Sequence, residues 1–216
     1  MRLAILGVGL IGGSIGRAAR ERGLAEVTGY VRNPAKRDEC LQVGAVDRMA
    51  ETVEDACADA DVVVCCAGVA SLVPMVEAAL AAAGPDCVVT DVGSTKAELV
   101  EAIGGDERFI GGHPLAGAET AGVANARADL FEGARWYLTP APSCSGVLYD
   151  RLQRLIAGIG ARPVAIEPVE HDRAMAVVSH LPHVFANQLA VQGRPGSERL
   201  GAVAPSLRDA TRVAGS

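Results

Sequence analysis

The chain has 216 residues, a length that suits one large domain, or one domain and a short second piece. Lys and Arg number 20 against 26 Asp and Glu, and the formal charge of −6 argues against a nucleic-acid surface. Aromatics at 3% leave few stacking platforms, while 50% hydrophobic residues allow a sizeable core of Ala, Val, Leu and Ile.

The opening run, MRLAILGVGLIGGSIG, has one basic residue and then apolar residues, but its five glycines spoil the continuous helix of an export signal. Leu3 to Leu6 reads instead as a strand, followed by a glycine turn and a helix from Leu10 to Arg22. Val27 to Val31 is a second strand, after which Asn33-Pro34 starts a helix reaching Val43. Asp61 to Ala67 is a buried strand and Ser71 to Ala83 an alanine-rich helix. The charge-free stretch from Val62 to Val76 is too short for a membrane span and is broken by Gly68 and Pro74. Cys87 to Val92 is a strand with a helix starting at Ser94. A short extended piece at Arg108 to Ile110 follows. Next come a strand at Trp136 to Thr139, a helix from Gly146 to Ile159 and a strand at Pro163 to Ile166. Pro168 to Val191 reads as one long helix kinked at Pro182.

Alternating strands and helices predict an α/β fold, a doubly wound and mainly parallel sheet with helices on both faces. The expected boundary is near Ile166: a dinucleotide-binding domain at 1–166 and a helical segment at 167–216. Six cysteines without a Cys-x-x-Cys pair fit a reducing, cytoplasmic setting rather than a disulfide framework or a zinc site.

Chemistry concentrates in six segments. Gly7-Val8-Gly9-Leu10-Ile11-Gly12 follows a strand and opens a helix, the context in which this spacing predicts a dinucleotide pyrophosphate. Gly7 permits the turn, Gly9 lets phosphate approach, and Gly12 lets helix and strand pack closely. At the end of the second strand Val31 and Arg32 stand where an NAD site carries an acid, and a guanidinium there suits a 2′-phosphate. The competing reading of Arg32 is a solvated surface charge. In Asp91-Val92-Gly93-Ser94-Thr95-Lys96, Ser94 either reaches a ligand or only caps the next helix. Lys96 reads as a surface or structural residue.

His113, between Gly111-Gly112 and Pro114, is expected on a constrained loop at a strand end, as a proton acceptor for a hydroxyl or as a structural histidine. In the segment 171–183, His180 and His183 are three apart, but a third metal ligand is lacking. No metal is therefore expected, and His183 suits anion or substrate recognition. An arginine within 206–212 can clamp a carboxylate with Asp209 orienting it, or be half of a solvated charge pair.

Together these segments resemble the prephenate dehydrogenase family, which includes arogenate dehydrogenases. The resemblance is carried by GVGLIGGS at 7–14, DVGSTK at 91–96, GGHPLAGAETAG at 111–122, HDRAMAVVSHLPH at 171–183 and LRDATRVAGS at 207–216. It implies a Rossmann-type domain and oxidative decarboxylation of prephenate to 4-hydroxyphenylpyruvate in tyrosine biosynthesis, with hydride passing to NAD(P). It also implies roles: His113 and Ser94 catalytic, His183 and Arg212 binding an anionic small-molecule substrate. Gly7, Gly9, Leu10, Ile11, Gly12, Arg32 and Ser94 would hold the cofactor. Neither nucleic acid nor membrane is expected as a partner.

Two departures from the family pattern shape the expectations. Val31 in place of an acid favours NADP, with NAD the other candidate. The family carries a longer helical second domain through which it dimerises, whereas this chain stops at TRVAGS. The expectation is a shortened helical segment that still self-associates, as a homodimer. Arogenate dehydrogenase remains an alternative, as does a non-catalytic dinucleotide-binding remnant. The 111–122 segment argues against imine reductases and hydroxyacid dehydrogenases.

Overall fold

Strand β1 (Arg2–Leu6) is apolar at every position after Arg2, and all four of those residues are buried. Such a run suits a strand covered on both faces. β4 (Val62–Cys65) is likewise apolar and buried throughout, and β5 (Val88–Asp91) is buried throughout although it ends in Thr90 and Asp91. In the computed structural model, which describes residues 1–118 and 120–214, these strands form the centre of one eight-stranded sheet. Glu119 of the 111–122 segment and the terminal Gly215 and Ser216 lie outside the described residues. The strand order is β3-β2-β1-β4-β5-β6-β7-β8. The remaining strands are β2 (Glu26–Tyr30), β3 (Arg48–Met49), β6 (Phe109–Pro114), β7 (Arg135–Pro140) and β8 (Arg162–Ala165). Every neighbouring pair is parallel except β6 with β7.

The alternation of strand side chains builds two cores. Leu3 and Ile5 join one with Ile15, Ala18 and Ala19 of α1 (Leu10–Glu21) and Leu152 and Ile156 of α6 (Gly146–Gly158). Ala4 and Leu6 join the other, with Cys57 of α3 (Val53–Cys57), Leu72 and Val76 of α4 (Leu72–Ala82) and Leu99 of α5 (Ala97–Ile103). The chain is thus a doubly wound α/β fold of the Rossmann type, followed by helices.

Four local readings of the sequence are corrected. The helix after Asn33-Pro34 is a 3₁₀ turn, Pro34–Lys36, leading into a short α2 (Arg37–Gln42). The helix expected at Ser94 begins at Ala97, so Ser94 is not its cap. The extended piece at 108–110 is the start of a longer strand, β6, which takes in His113. The long C-terminal helix is α7 (Pro168–Met175), a π-helical turn at Ala176–His180, and α8 (Leu181–Leu200). Pro182 has no N–H for the Val178 carbonyl, and the irregularity is absorbed in the turn before it.

Two compact units result, Met1–His171 and the residues from Asp172 on. Within the second, α9 (Pro205–Ala210) packs on α8, with Leu207 seated on Gly193. No helix among the described residues is long and apolar enough to cross a membrane.

Candidate functional site

The strand order reverses at β1, which lies between β2 and β4, and parallel α/β sheets bind ligands outside the carboxyl ends of strands at such a point. β1, β2, β4, β5 and β6 run parallel, so the segments that follow them share one edge. The glycine turn, Arg32, Ser94 and His113 all come to this edge.

Gly7 has φ of +104° and donates its N–H to the Tyr30 carbonyl at 2.9 Å. A Cβ on Gly7 would fall 2.1 Å from the Cys66 carbonyl oxygen, and one on Gly12 would fall 2.3 Å from the Gly7 oxygen. Both positions therefore need glycine for the turn itself. Gly9 is different: a Cβ there would meet nothing within 4 Å. It caps α1 without a side-chain hydrogen bond. The first-turn N–H groups of Leu10, Ile11 and Gly12 have no acceptor within the helix, and the helix dipole adds positive potential. An open backbone surface at a helix start fits a dinucleotide pyrophosphate. At the end of β2, Val31 is buried in the core and Arg32 is the exposed residue.

The β5–α5 loop is anchored by a buried ion pair. Lys96 and Asp91 are both fully buried, and the Lys96 ammonium bonds the Asp91 carboxylate and, at 2.8 Å, the Gly112 carbonyl. The carboxylate also accepts N–H bonds from Gly112 at 2.9 Å and Gly93 at 2.7 Å. Burial pushes the Asp91 carboxyl above its ordinary value, while the ammonium and the two N–H groups work against that shift. Lys96 therefore has a structural role and is not on the surface. It ties the loop carrying Ser94 to the residue before His113. Ser94 itself is half-buried in this loop.

His113 is half-buried near the end of β6, opposite Tyr137 of β7. Gly111 and Gly112 beneath it are required by packing. A Cβ on Gly111 would fall 2.3 Å from Thr139 Oγ1, and one on Gly112 2.5 Å from the Asp91 carbonyl. The Nδ1 of His113 lies 2.9 Å from Nε2 of His171, with the two rings edge to face at 5.0 Å. His171 is fully buried in α7, and Tyr137 packs edge-on against it at 5.6 Å. The sequence marks His171 only as part of a longer segment. A contact across 58 residues leaves no local pattern.

In the second unit, His183 is half-buried in the first turn of α8 and Arg212 is exposed just past α9. Among the described residues no group of three or more His, Cys, Asp or Glu could hold a metal ion.

Residues 15–165 match the family model described as prephenate dehydrogenase, nucleotide-binding domain, and residues 167–216 that described as prephenate dehydrogenase, dimerization domain. The prephenate dehydrogenase of Bacillus subtilis is 32% identical over 99% of this chain. This chain spans 60% of that protein's length. Among solved structures, prephenate dehydrogenase from A. aeolicus, in complex with hydroxyphenyl propionate and NAD+, is 29% identical. Its TM-score is 0.90, with 99% of this chain and 78% of that one covered. Arogenate dehydrogenase from Synechocystis is 27% identical, with a TM-score of 0.83 over 100% of this chain and 80% of that one. On the matched domains and the shared architecture, the chain belongs to the prephenate dehydrogenase family.

Proposed function

We propose that the chain carries out the oxidative decarboxylation of prephenate to 4-hydroxyphenylpyruvate with NADP. The observation that carries this reading is a histidine fixed on the same sheet edge as a glycine turn open to a dinucleotide. A dinucleotide held at the Gly7–Gly12 turn would supply the acceptor for the hydride lost from the ring carbon that bears the hydroxyl. His113 takes the hydroxyl proton as the hydride leaves, and returns it to the ring oxygen as carbon dioxide departs and the ring becomes aromatic. Ser94, on the loop tied to Gly112, supports the same hydroxyl and the cofactor. The N–H groups of Leu10, Ile11 and Gly12 hold the pyrophosphate, with Gly7 shaping the turn and Gly9 leaving it open.

NADP is preferred over NAD because Val31 turns into the core and Arg32 presents a cation at the ribose end. A charge-assisted hydrogen bond from Arg32 contributes about 1.5–3 kcal/mol. His183 and Arg212 bind the anionic substrate, a dicarboxylate that calls for cationic donors. Six free thiols suit a cytoplasmic setting, and the second unit makes the chain a homodimer. Arogenate is the second reading, supported by the likeness to the Synechocystis enzyme.

The test is a steady-state assay of the purified chain with prephenate and arogenate, each with NAD and NADP. Prephenate with NADP should give the highest kcat/KM. His113→Asn should lower kcat by about 10²–10⁴-fold at unchanged dinucleotide affinity, the usual range for a lost general base. Dinucleotide binding without turnover of either substrate would make the chain a non-catalytic remnant. A preference for NAD would overturn the role of Arg32.

A further inference from the structure

We propose that His171 is the positioning residue that fixes the tautomer and ring orientation of His113. This rests on the assignment of His113 as proton acceptor. The contact joins Nδ1 of His113 to Nε2 of His171 at 2.9 Å. Only one of the two nitrogens can supply the hydrogen when both rings are neutral, so the contact links the tautomers. With the hydrogen on His113 Nδ1, the His113 lone pair lies on Nε2, the arrangement a proton acceptor requires. His171 then accepts at its own Nε2 and carries its hydrogen on Nδ1. When His113 takes the substrate proton, its Nδ1–H is still directed at the same lone pair, and the contact becomes a charge-assisted hydrogen bond.

The surroundings make His171 a fixed reference. It is fully buried, its backbone N–H bonds the Glu167 carbonyl at 2.9 Å in α7, and the Tyr137 ring packs edge-on against it at 5.6 Å. Tyr137 is also the residue paired with His113 across β6 and β7. One tyrosine thus borders both imidazoles, and rotation of either ring would break the contact. His171 acts through His113 and has no assigned contact with substrate.

The chain has four histidines, so ¹⁵N-histidine NMR resolves each ring, with His113→Asn assigning its own signals. In the parent, His113 should show Nδ1 protonated and Nε2 bare. In His171→Leu that preference should be lost. The kcat should fall about 10–100-fold, the equivalent of one charge-assisted hydrogen bond, with KM and dinucleotide affinity unchanged. His171→Gln, whose amide reaches the position of Nε2, should restore most of the loss, and the shorter His171→Asn should not. This pair keeps the test decisive should the leucine variant fail to fold. Equal activity of the glutamine and asparagine variants, or a His113 tautomer indifferent to residue 171, would overturn the proposal. The tautomer is read without substrate, so the two readings separate. The expected spectrum with no turnover would sink the dehydrogenase reading alone. Turnover with an unlinked tautomer would sink the positioning role alone.

Discussion

The buried pair of Lys96 and Asp91 shows how much a single side chain organises at this edge. Removing Lys96 leaves a carboxylate without exposure and with only two N–H donors to hold its charge. Breaking a buried pair from one side typically costs about 3–5 kcal/mol. Lys96→Met should lower stability by that order in denaturant titrations, and the Asp91→Asn/Lys96→Met double variant should recover part of it. Without the ammonium, the Asp91 carboxyl is raised further in the folded state than in the unfolded one, so the folded state binds the extra proton. The variant's deficit should therefore shrink as the pH is lowered. A deficit independent of pH would mean that Asp91 is not the group left stranded. The thiols follow the same physics at the same scale. Burial pushes Cys57 up to about 12 and Cys87 up to about 11, so neither carries appreciable thiolate near neutrality.

The glycine turn separates what the fold needs from what a ligand needs. Gly7 and Gly12 are held by contacts inside the chain, whereas Gly9 faces open space with φ of −102°, outside the glycine-only region. Gly9→Ala should therefore leave the thermal midpoint nearly unchanged. It should weaken dinucleotide binding by about 10-fold, because the new methyl group meets the pyrophosphate that approaches this backbone. Loss of stability with intact binding would reverse the assignment. Elements of this kind were legible in the sequence because their cause is local. VVVC at β4 is a continuous apolar run, and the glycine spacing follows the backbone of the turn. The two-residue β3 and the five-residue α3 are too short to set up a period and leave no signal in the sequence. A serine before an amphipathic run reads as a cap, so the sequence alone predicts the start of α5 at Ser94. A lysine five residues along the chain from an aspartate gives no hint that both turn inward, and the helix begins after that lysine, at Ala97. The Gly-Gly-His-Pro setting marks His113 in the sequence, whereas nothing local marks His171, since only the fold brings the two rings together.

At the scale of the molecule, the second unit presents an apolar stripe to solvent. Leu181, Val184, Phe185, Leu189 and Val191 fall at helical spacings along α8, and Phe185 is 61% exposed. Val177 and Val178 of the preceding π-helical turn are exposed at 64% and 66%. Isolated apolar residues on a surface are ordinary, but a continuous stripe along one helix marks a contact surface. Fully burying each such side chain is worth about 1.5–3 kcal/mol, so these residues on two copies together outweigh the cost of association, about 4–15 kcal/mol. The matched dimerization-domain model over residues 167–216 makes a second copy of the chain the occupant we expect. Sedimentation should give a dimer whose dissociation is concentration-dependent. Phe185→Glu should shift it to monomer, because a carboxylate at the centre of the stripe would be buried without a partner. Dinucleotide binding by the first unit should survive that substitution, since Gly7 to Gly12 and Arg32 belong to residues 1–171. A parent that stays monomeric over a wide concentration range would count against this surface as the interface. A dimer untouched by Phe185→Glu would move the interface elsewhere on the chain.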